Sequence, residues 1–221
     1  MSDGPARLLL LRHGHIASHR GDVPLTEEGV RHAARTGAAL GAGIDGPITV
    51  LYGGTRRSRE TAEALVRGIG GPGRVRGPVD GFALRNPDMY LAGTRVEMVS
   101  SHAALAAQVP GMTEAEAAAS TWWTAFIRDP DRVGWWLRQD DPPGESARDL
   151  AGRIIRFART LGDSGPLRGR AVVGVTHSPV LRAVLLHATG ADPGEPGYVT
   201  GAALTVAAGG NVRITAYDPL G

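Results

Sequence analysis

Three short stretches bring imidazole and guanidinium groups together with glycine. The first reads Leu11-Arg12-His13-Gly14-His15. The second reads Gly53-Gly54-Thr55-Arg56-Arg57-Ser58-Arg59-Glu60-Thr61-Ala62, and the third Val175-Thr176-His177-Ser178-Pro179. Arginine is planar, permanently charged and matches pairs of oxyanion oxygens in a fork. Imidazole can act as a nucleophile or as an acid–base group near neutral pH. Gly14, with no Cβ, lets the backbone approach a ligand closely. The chain has no cysteine, and its 24 Lys-plus-Arg positions are all arginine. An anion pocket must therefore be built from guanidinium, imidazole and backbone groups, and a phosphate is its natural occupant.

The same composition removes other chemistries. Without cysteine there are no disulfides, thiolate zinc sites, cysteine nucleophiles or iron–sulfur clusters. Without lysine there is neither Schiff-base chemistry nor a P-loop. The formal charge is only +2 over 221 residues, with no basic tail or basic–aromatic stripe, which argues against nucleic acid. The apolar run Leu8–Leu11 is too short for a signal core or a membrane span, and no later segment is apolar enough. The expectation is a soluble cytoplasmic protein without membrane or nucleic-acid partners; oligomeric state is not legible. A His13-x-His15 pair also opens amidohydrolase metal sites, but that barrel needs about 250 residues and further ligands. His32, His102 and His187 sit in helical patterns and read as surface or packing residues.

Strands and helices alternate around these stretches. Strands are predicted at Arg7–Arg12, Pro47–Tyr52, Arg74–Val79 and Arg170–Thr176. Helices are predicted from a Thr26 cap to about Leu40, over Arg56–Ile69 and over Glu145–Leu161, and after Ser178, read as a cap followed by Pro179. Ala202–Ala207 and Asn211–Tyr217 suggest a closing strand pair. Residues 80–144 break the alternation: Thr94–Gln108 and Thr113–Arg128 read as helices, the second with a Thr113/Glu116 capping box. Trp122, Trp123, Trp135 and Trp136 lie in this insertion, as its core or as the lining of an apolar pocket. The fold predicted is a single α/β domain over residues 1–221. It is a three-layer sandwich with a mostly parallel central sheet and a helical insertion at about 80–144 capping the site. Parallel sheets bind ligands at the carboxyl ends of their strands, where the three stretches fall.

The motifs closely resemble those of the histidine phosphatase superfamily, which includes the cofactor-dependent phosphoglycerate mutases. The matching elements are Leu10-Leu11-Arg12-His13-Gly14, Asp22-Val23-Pro24-Leu25-Thr26-Glu27-Glu28-Gly29, Arg57-Ser58-Arg59-Glu60-Thr61-Ala62, Pro143-Gly144-Glu145-Ser146, and Val173-Gly174-Val175-Thr176-His177-Ser178 with Arg182. They occur in the family's order over roughly residues 7–70 and 143–190. The resemblance implies that His13 attacks phosphorus and becomes a phosphohistidine, while Arg12, Arg57 and His177 hold the non-bridging oxygens. It implies no metal and no other cofactor. Gly14, His19 (where the family often has asparagine) and Ser178 join the expected substrate contacts.

The departures are informative. His15-Ile16 stands where the family often has Glu-Thr. Mutase-like members carry the acidic proton donor in a Leu-x-Glu context after the third strand; here Leu84-Arg85-Asn86 places an amide there, and an amide has no proton to give. Asp88 is the expected replacement, with Asp80, or water or another group, as alternatives. The acid-phosphatase branch has aspartate directly after the second histidine; Ser178 stands in its place. The activity expected is metal-independent hydrolysis of a small organic phosphate monoester through phosphohistidine. A phosphoglycerate mutase-type phosphotransferase and a non-catalytic phospholigand-binding protein are the alternatives.

Overall fold

The computed structural model describes residues 5–18, 21–71, 73–163, 170–207 and 209–221. His19 lies outside the described residues. Strand β1 (Ala6–Arg12) is followed by α1 (Glu27–Gly43), β2 (Ile48–Tyr52), α2 (Arg56–Ile69) and β3 (Val75–Asp80). After an intervening segment come α7 (Ala147–Thr160), β6 (Ala171–Thr176), α8 (Ser178–Thr189), β7 (Gly201–Val206) and β8 (Val212–Tyr217). Among the described residues these strands form a six-stranded sheet in the order β3-β2-β6-β1-β7-β8. The first four run parallel, while β7 and β8 are antiparallel to their neighbours.

Strand β1 shows why the sequence makes three layers. Side chains alternate across a strand, yet Leu8 to Leu11 are all buried. Leu8 and Leu10 pack with Leu150, Ile154 and Leu181 of α7 and α8. Leu9 and Leu11 pack with Ala33 and Leu40 of α1 and Ala62 and Leu65 of α2. A strand apolar on both faces is the pattern of a sheet covered on both sides.

The helix starts follow their caps. Thr26 accepts the Gly29 N–H ahead of the acidic turn Glu27-Glu28, and Thr55 and Ser58 form a reciprocal box at α2. At α8 the cap is His177 rather than Ser178, so Ser178 and Pro179 open the first turn.

The intervening segment departs from its expected all-helical form. Thr94–Val96 (β5) pairs with Met89–Leu91 (β4) in an antiparallel hairpin, and the expected helix from Thr94 is reduced to α3 (His102–Ala106). Ala92 and Gly93 both have positive φ, 47° and 75°, the backbone of a tight two-residue hairpin turn. Ala-Gly is not a favoured pair for that turn, so the composition concealed it. The expected helix at 113–128 divides into α4 (Glu114–Ala119) and α5 (Thr121–Arg128), because Ser120 turns extended. A further short helix, α6 (Arg132–Leu137), is capped by Asp131.

The tryptophans hold this segment together. Trp123 and Trp136 are fully buried, and their indole N–H groups donate to Tyr90 O and Glu145 O. Trp122 stacks on Phe126 with 5.6 Å between ring centres and meets Trp123 edge-on. This cluster is continuous with the apolar layer over Leu8 and Leu10. No described helix is long and apolar enough to cross a membrane.

Helices α1 and α2 cross at glycine. A Cβ on Gly68 would stand 2.0 Å from Ala34 O, and one on Gly37 2.3 Å from Leu65 O. Alanine is the better helix former by about 1 kcal/mol, so Gly68→Ala would stabilise a loose crossing. Here the clash dominates, at about 1–3 kcal/mol. Thermal denaturation of Gly68→Ala is expected to show a melting temperature several degrees below that of the parent.

Candidate active site

Strands β2, β6 and β1 are adjacent and parallel, with Arg12 in register with Thr176, and Val175 with Tyr52. Their carboxyl ends therefore deliver the three sequence stretches side by side. His13 follows β1 directly and donates its backbone N–H to Thr176 O, while Gly53 N–H, just past β2, donates to Val175 O. Together they wall a cavity of about 390 Å³ that Arg12, His13, Arg57, Asn86, His177 and Ser178 all line. Arg12, His13, His177 and Ser178 are buried.

Each histidine has one nitrogen fixed by a backbone carbonyl. His13 Nδ1–H donates to Gly14 O at 2.9 Å, a tautomer that leaves the lone pair on Nε2. His177 Nε2–H donates to Gly53 O at 3.1 Å, which puts its lone pair on Nδ1. The two rings lie 5.6 Å apart. Thr61 links the first and second stretches: Gly14 N–H donates to Thr61 Oγ1, and the Thr61 hydroxyl donates to Arg57 O. Asp22 accepts the Arg56 N–H at the start of α2 and stands 3.6 Å from Arg57 Nη1.

The electrostatics are those of crowded positive charge. Burial, followed by the charges of Arg57, His13 and Arg12, holds His177 well below its ordinary value, against the lesser effect of its bond to Gly53 O. Burial also lowers Arg57. Arg12 Nε, Arg57 Nε and His177 Nδ1 are buried and find no hydrogen-bond partner among the described residues. Buried polar groups are nearly always satisfied, and one oxyanion could serve all three.

The expectation that Asp88 donates a proton does not fit its surroundings. Asp88 lines a neighbouring hollow with Asp80, Phe82 and Glu97, not the cavity of His13. Its carboxylate is gripped by Arg85 and Arg95. Partial burial opposes ionisation, but the hydrogen bonds and charges of these arginines outweigh it and hold the group at about 2. A carboxyl so held stays ionised near neutral pH. Asp80 shares that hollow. Asn86, at the expected acid position, does line the cavity; its amide donates to Glu97 Oε2. Glu145 accepts from Asp88 N–H and pairs with Arg153, which also donates to the carbonyls of Ala83, Arg85 and Asn86. The pair fixes the 83–88 loop.

Three contributors escaped the sequence reading. The Tyr198 ring lies under the Arg12 guanidinium at 4.3 Å and 6.1 Å from His13. Glu195 lines the cavity and pairs with Arg12. Asp131 lines it too and binds Arg182 through both oxygens. They come from irregular segments without a periodic signal. Met98, Val99, Phe126 and Val133 of the insertion add an apolar wall, while none of the four tryptophans lines the cavity among the described residues.

Residues 8–76 and 108–208 match the histidine phosphatase superfamily (branch 1). No curated protein matches the chain. Similar solved structures include mycobacterial glucosyl-3-phosphoglycerate phosphatase, 22% identical with a TM-score of 0.58 over 96% of this chain and 98% of that one. Mycobacterial hydrolase 1 is also 22% identical, with a TM-score of 0.60 over 97% of each chain. An Escherichia coli protein provisionally described as an alpha-ribazole-5'-P phosphatase is 15% identical, with a TM-score of 0.55 over 96% of each chain.

The depressed His177 makes a signed prediction. Unfolded, its imidazole takes a proton as pH falls through its ordinary 6.5; folded, it resists to lower pH. The unfolded state then binds more protons, so ligand-free protein loses stability as pH drops below about 6.5. Denaturant titrations between pH 7.5 and 5.5 should show a flatter pH dependence for His177→Gln than for the parent.

Proposed function

The chain belongs to branch 1 of the histidine phosphatase superfamily, and from that premise we propose that it hydrolyses a small organic phosphate monoester through a phosphohistidine at His13, without a metal. The observation that carries this reading is the convergence of Arg12, His13, Arg57 and His177 on one cavity from three separate strand ends. Phosphoryl transfer depends chiefly on positioning and on neutralising the oxygens of the moving group. Arg12 and Arg57 supply fixed charge. Neutral His177 gains a proton more readily beside a phosphate dianion, which opposes the cationic neighbours that now depress it.

In the first half-reaction His13 Nε2 attacks phosphorus as the bond to the leaving oxygen breaks. In the second, water attacks phosphorus and the nitrogen–phosphorus bond breaks, returning His13. The bond from Nδ1–H to Gly14 O keeps the attacking nitrogen oriented through both steps. Ser178 belongs to the same wall in this reading, whereas Gly14, expected as a substrate contact, is not among the lining residues and turns the side where a Cβ would stand toward Gly29 and Leu25. The apolar side formed by Met98, Val99 and Val133 faces the ester's organic part, so a partly apolar leaving group suits it. The phosphatase names among the similar structures fit this substrate class.

Asn86 in the cavity wall favours a second reading, a phospholigand-binding protein that does not turn over. Turnover decides between them. Purified protein should hydrolyse p-nitrophenyl phosphate in EDTA, without a bisphosphorylated primer, and rapid acid-free quenching should trap labelled phosphate on His13. His13→Ala should lower the rate by roughly 10³-fold or more and abolish the trapped label. Phosphate binding without turnover across a broad ester panel would favour the second reading.

A further inference from the structure

The phosphatase reading leaves the leaving oxygen without a proton donor, since Asn86 has none to give and Asp88 is clamped in another hollow. Among the described carboxylates, two line the cavity that holds His13: Asp131 and Glu195. Asp131 is committed. Both of its oxygens accept from Arg182, and one also caps Gly134 N–H; hydrogen bonding to Arg182 is the largest influence holding it at about 2. Glu97, in the adjacent hollow, has one oxygen on Arg95 and the other on the Asn86 amide. Asp22 spends both oxygens on the start of α2.

Glu195 is engaged through both oxygens too, but one of them meets a hydroxyl in place of a guanidinium hydrogen bond. It lies in the irregular segment between α8 and β7, just after Gly194 (φ 77°). That segment is pinned on both sides: Asp192 binds Arg182, and Pro196 O accepts from Arg12 Nη1 at 2.6 Å. Between these anchors the Glu195 side chain is half exposed and reaches into the cavity. One oxygen stands 2.6 Å from Arg12 Nη2; the other accepts the Ser178 hydroxyl at 2.5 Å and lies 3.8 Å from Arg182. The carboxylate thus stands at the groups expected to take phosphate, on a half-exposed side chain.

We propose that Glu195 is the proton donor to the leaving oxygen and the proton acceptor in dephosphorylation. This rests on the phosphatase reading. In the ligand-free protein the carboxylate neutralises Arg12. An arriving phosphate takes that guanidinium, and the repulsion between two anions in one cavity is relieved when a proton sits between them. As His13 Nε2 bonds to phosphorus and the ester P–O bond breaks, the Glu195 carboxyl proton passes to the leaving oxygen, giving the alcohol. In the second step the Glu195 carboxylate takes a proton from water as its oxygen bonds to phosphorus and the P–N bond breaks. Ser178 keeps the carboxyl aimed inward while the loop anchors hold its backbone. The departure at Asn86 and the serine after His177 then have one joint explanation: the acid comes from the segment before β7 in place of the one after β3, and Ser178 orients it.

The test compares leaving groups. An alkoxide needs a proton in the transition state; p-nitrophenolate barely does. For Glu195→Gln, kcat on glycerol phosphate should fall about 100-fold or more, the scale of general acid catalysis, against a loss several-fold at most on p-nitrophenyl phosphate. The affinity for inorganic phosphate should rise, because the amide no longer competes for Arg12. The limb of the kcat–pH profile on the alkyl ester that reports this acid should vanish. Equal losses on both esters, or no loss on either, would overturn the proposal, as would a leaving-group-selective loss in Glu97→Gln with none in Glu195→Gln. Parent protein that turns over neither ester sinks the phosphatase reading itself, and this inference with it.

Discussion

Two guanidiniums and two imidazoles share one buried corner at the carboxyl edge of the sheet, and much of the surrounding structure answers to that crowding. Imidazole can shed its charge, and His177 does so under the combined weight of burial and Arg57. Arginine has no such option, so its charge must be met by neighbours. Arg12 is met by Glu195, by the carbonyl of Pro196 and by the face of Tyr198. Arg57 has Asp22 nearby and an Nε with no hydrogen-bond partner among the described residues. The Glu195 carboxylate and the Pro196 carbonyl, both on Arg12, tie the irregular 191–200 segment to the end of the first strand.

The fold was legible where periodicity speaks. The four-leucine run of β1 reads as a buried strand, and the caps Thr26 and Thr113 mark helix starts that the structure contains. Once the sheet is parallel, its edge gathers Arg12, Arg57 and His177 without further information, because each directly follows or begins an element. What failed was local and specific. Ala92-Gly93 makes a hairpin turn with a pair that seldom advertises one. Ser120 interrupts a helix that apolar spacing alone would continue. Asp88 stands close to Asn86 along the chain, but its surroundings are set by Arg85 and, across the hairpin, by Arg95. Glu195 and Tyr198 lie in a stretch of turns where no period exists to read, so their place in the cavity depends on tertiary contacts alone.

The inserted segment does two jobs. Its tryptophans are inward-facing and continue the apolar layer above β1, so the segment is stabilised as part of the main core rather than as an attached lid. Met98, Val99 and Val133 are left to shape the cavity wall. Phe126 of the wall belongs to that same core, and Met98, Val99 and Val133 pack against it, so the wall is open only to exchanges that keep its packed volume.

The buried Arg182 limits that openness. It stands on α8, one helical turn past His177, and binds Asp131 of the insertion and Asp192 of the loop that carries Glu195. One side chain therefore couples the segment shaping the pocket wall to the segment reaching the phosphate corner. An insertion exchanged for one lacking a counterpart to Asp131 would leave a buried cation half-matched. Diversification of ligand preference on this scaffold is channelled toward small exchanges along the wall, and away from wholesale replacement of the insertion.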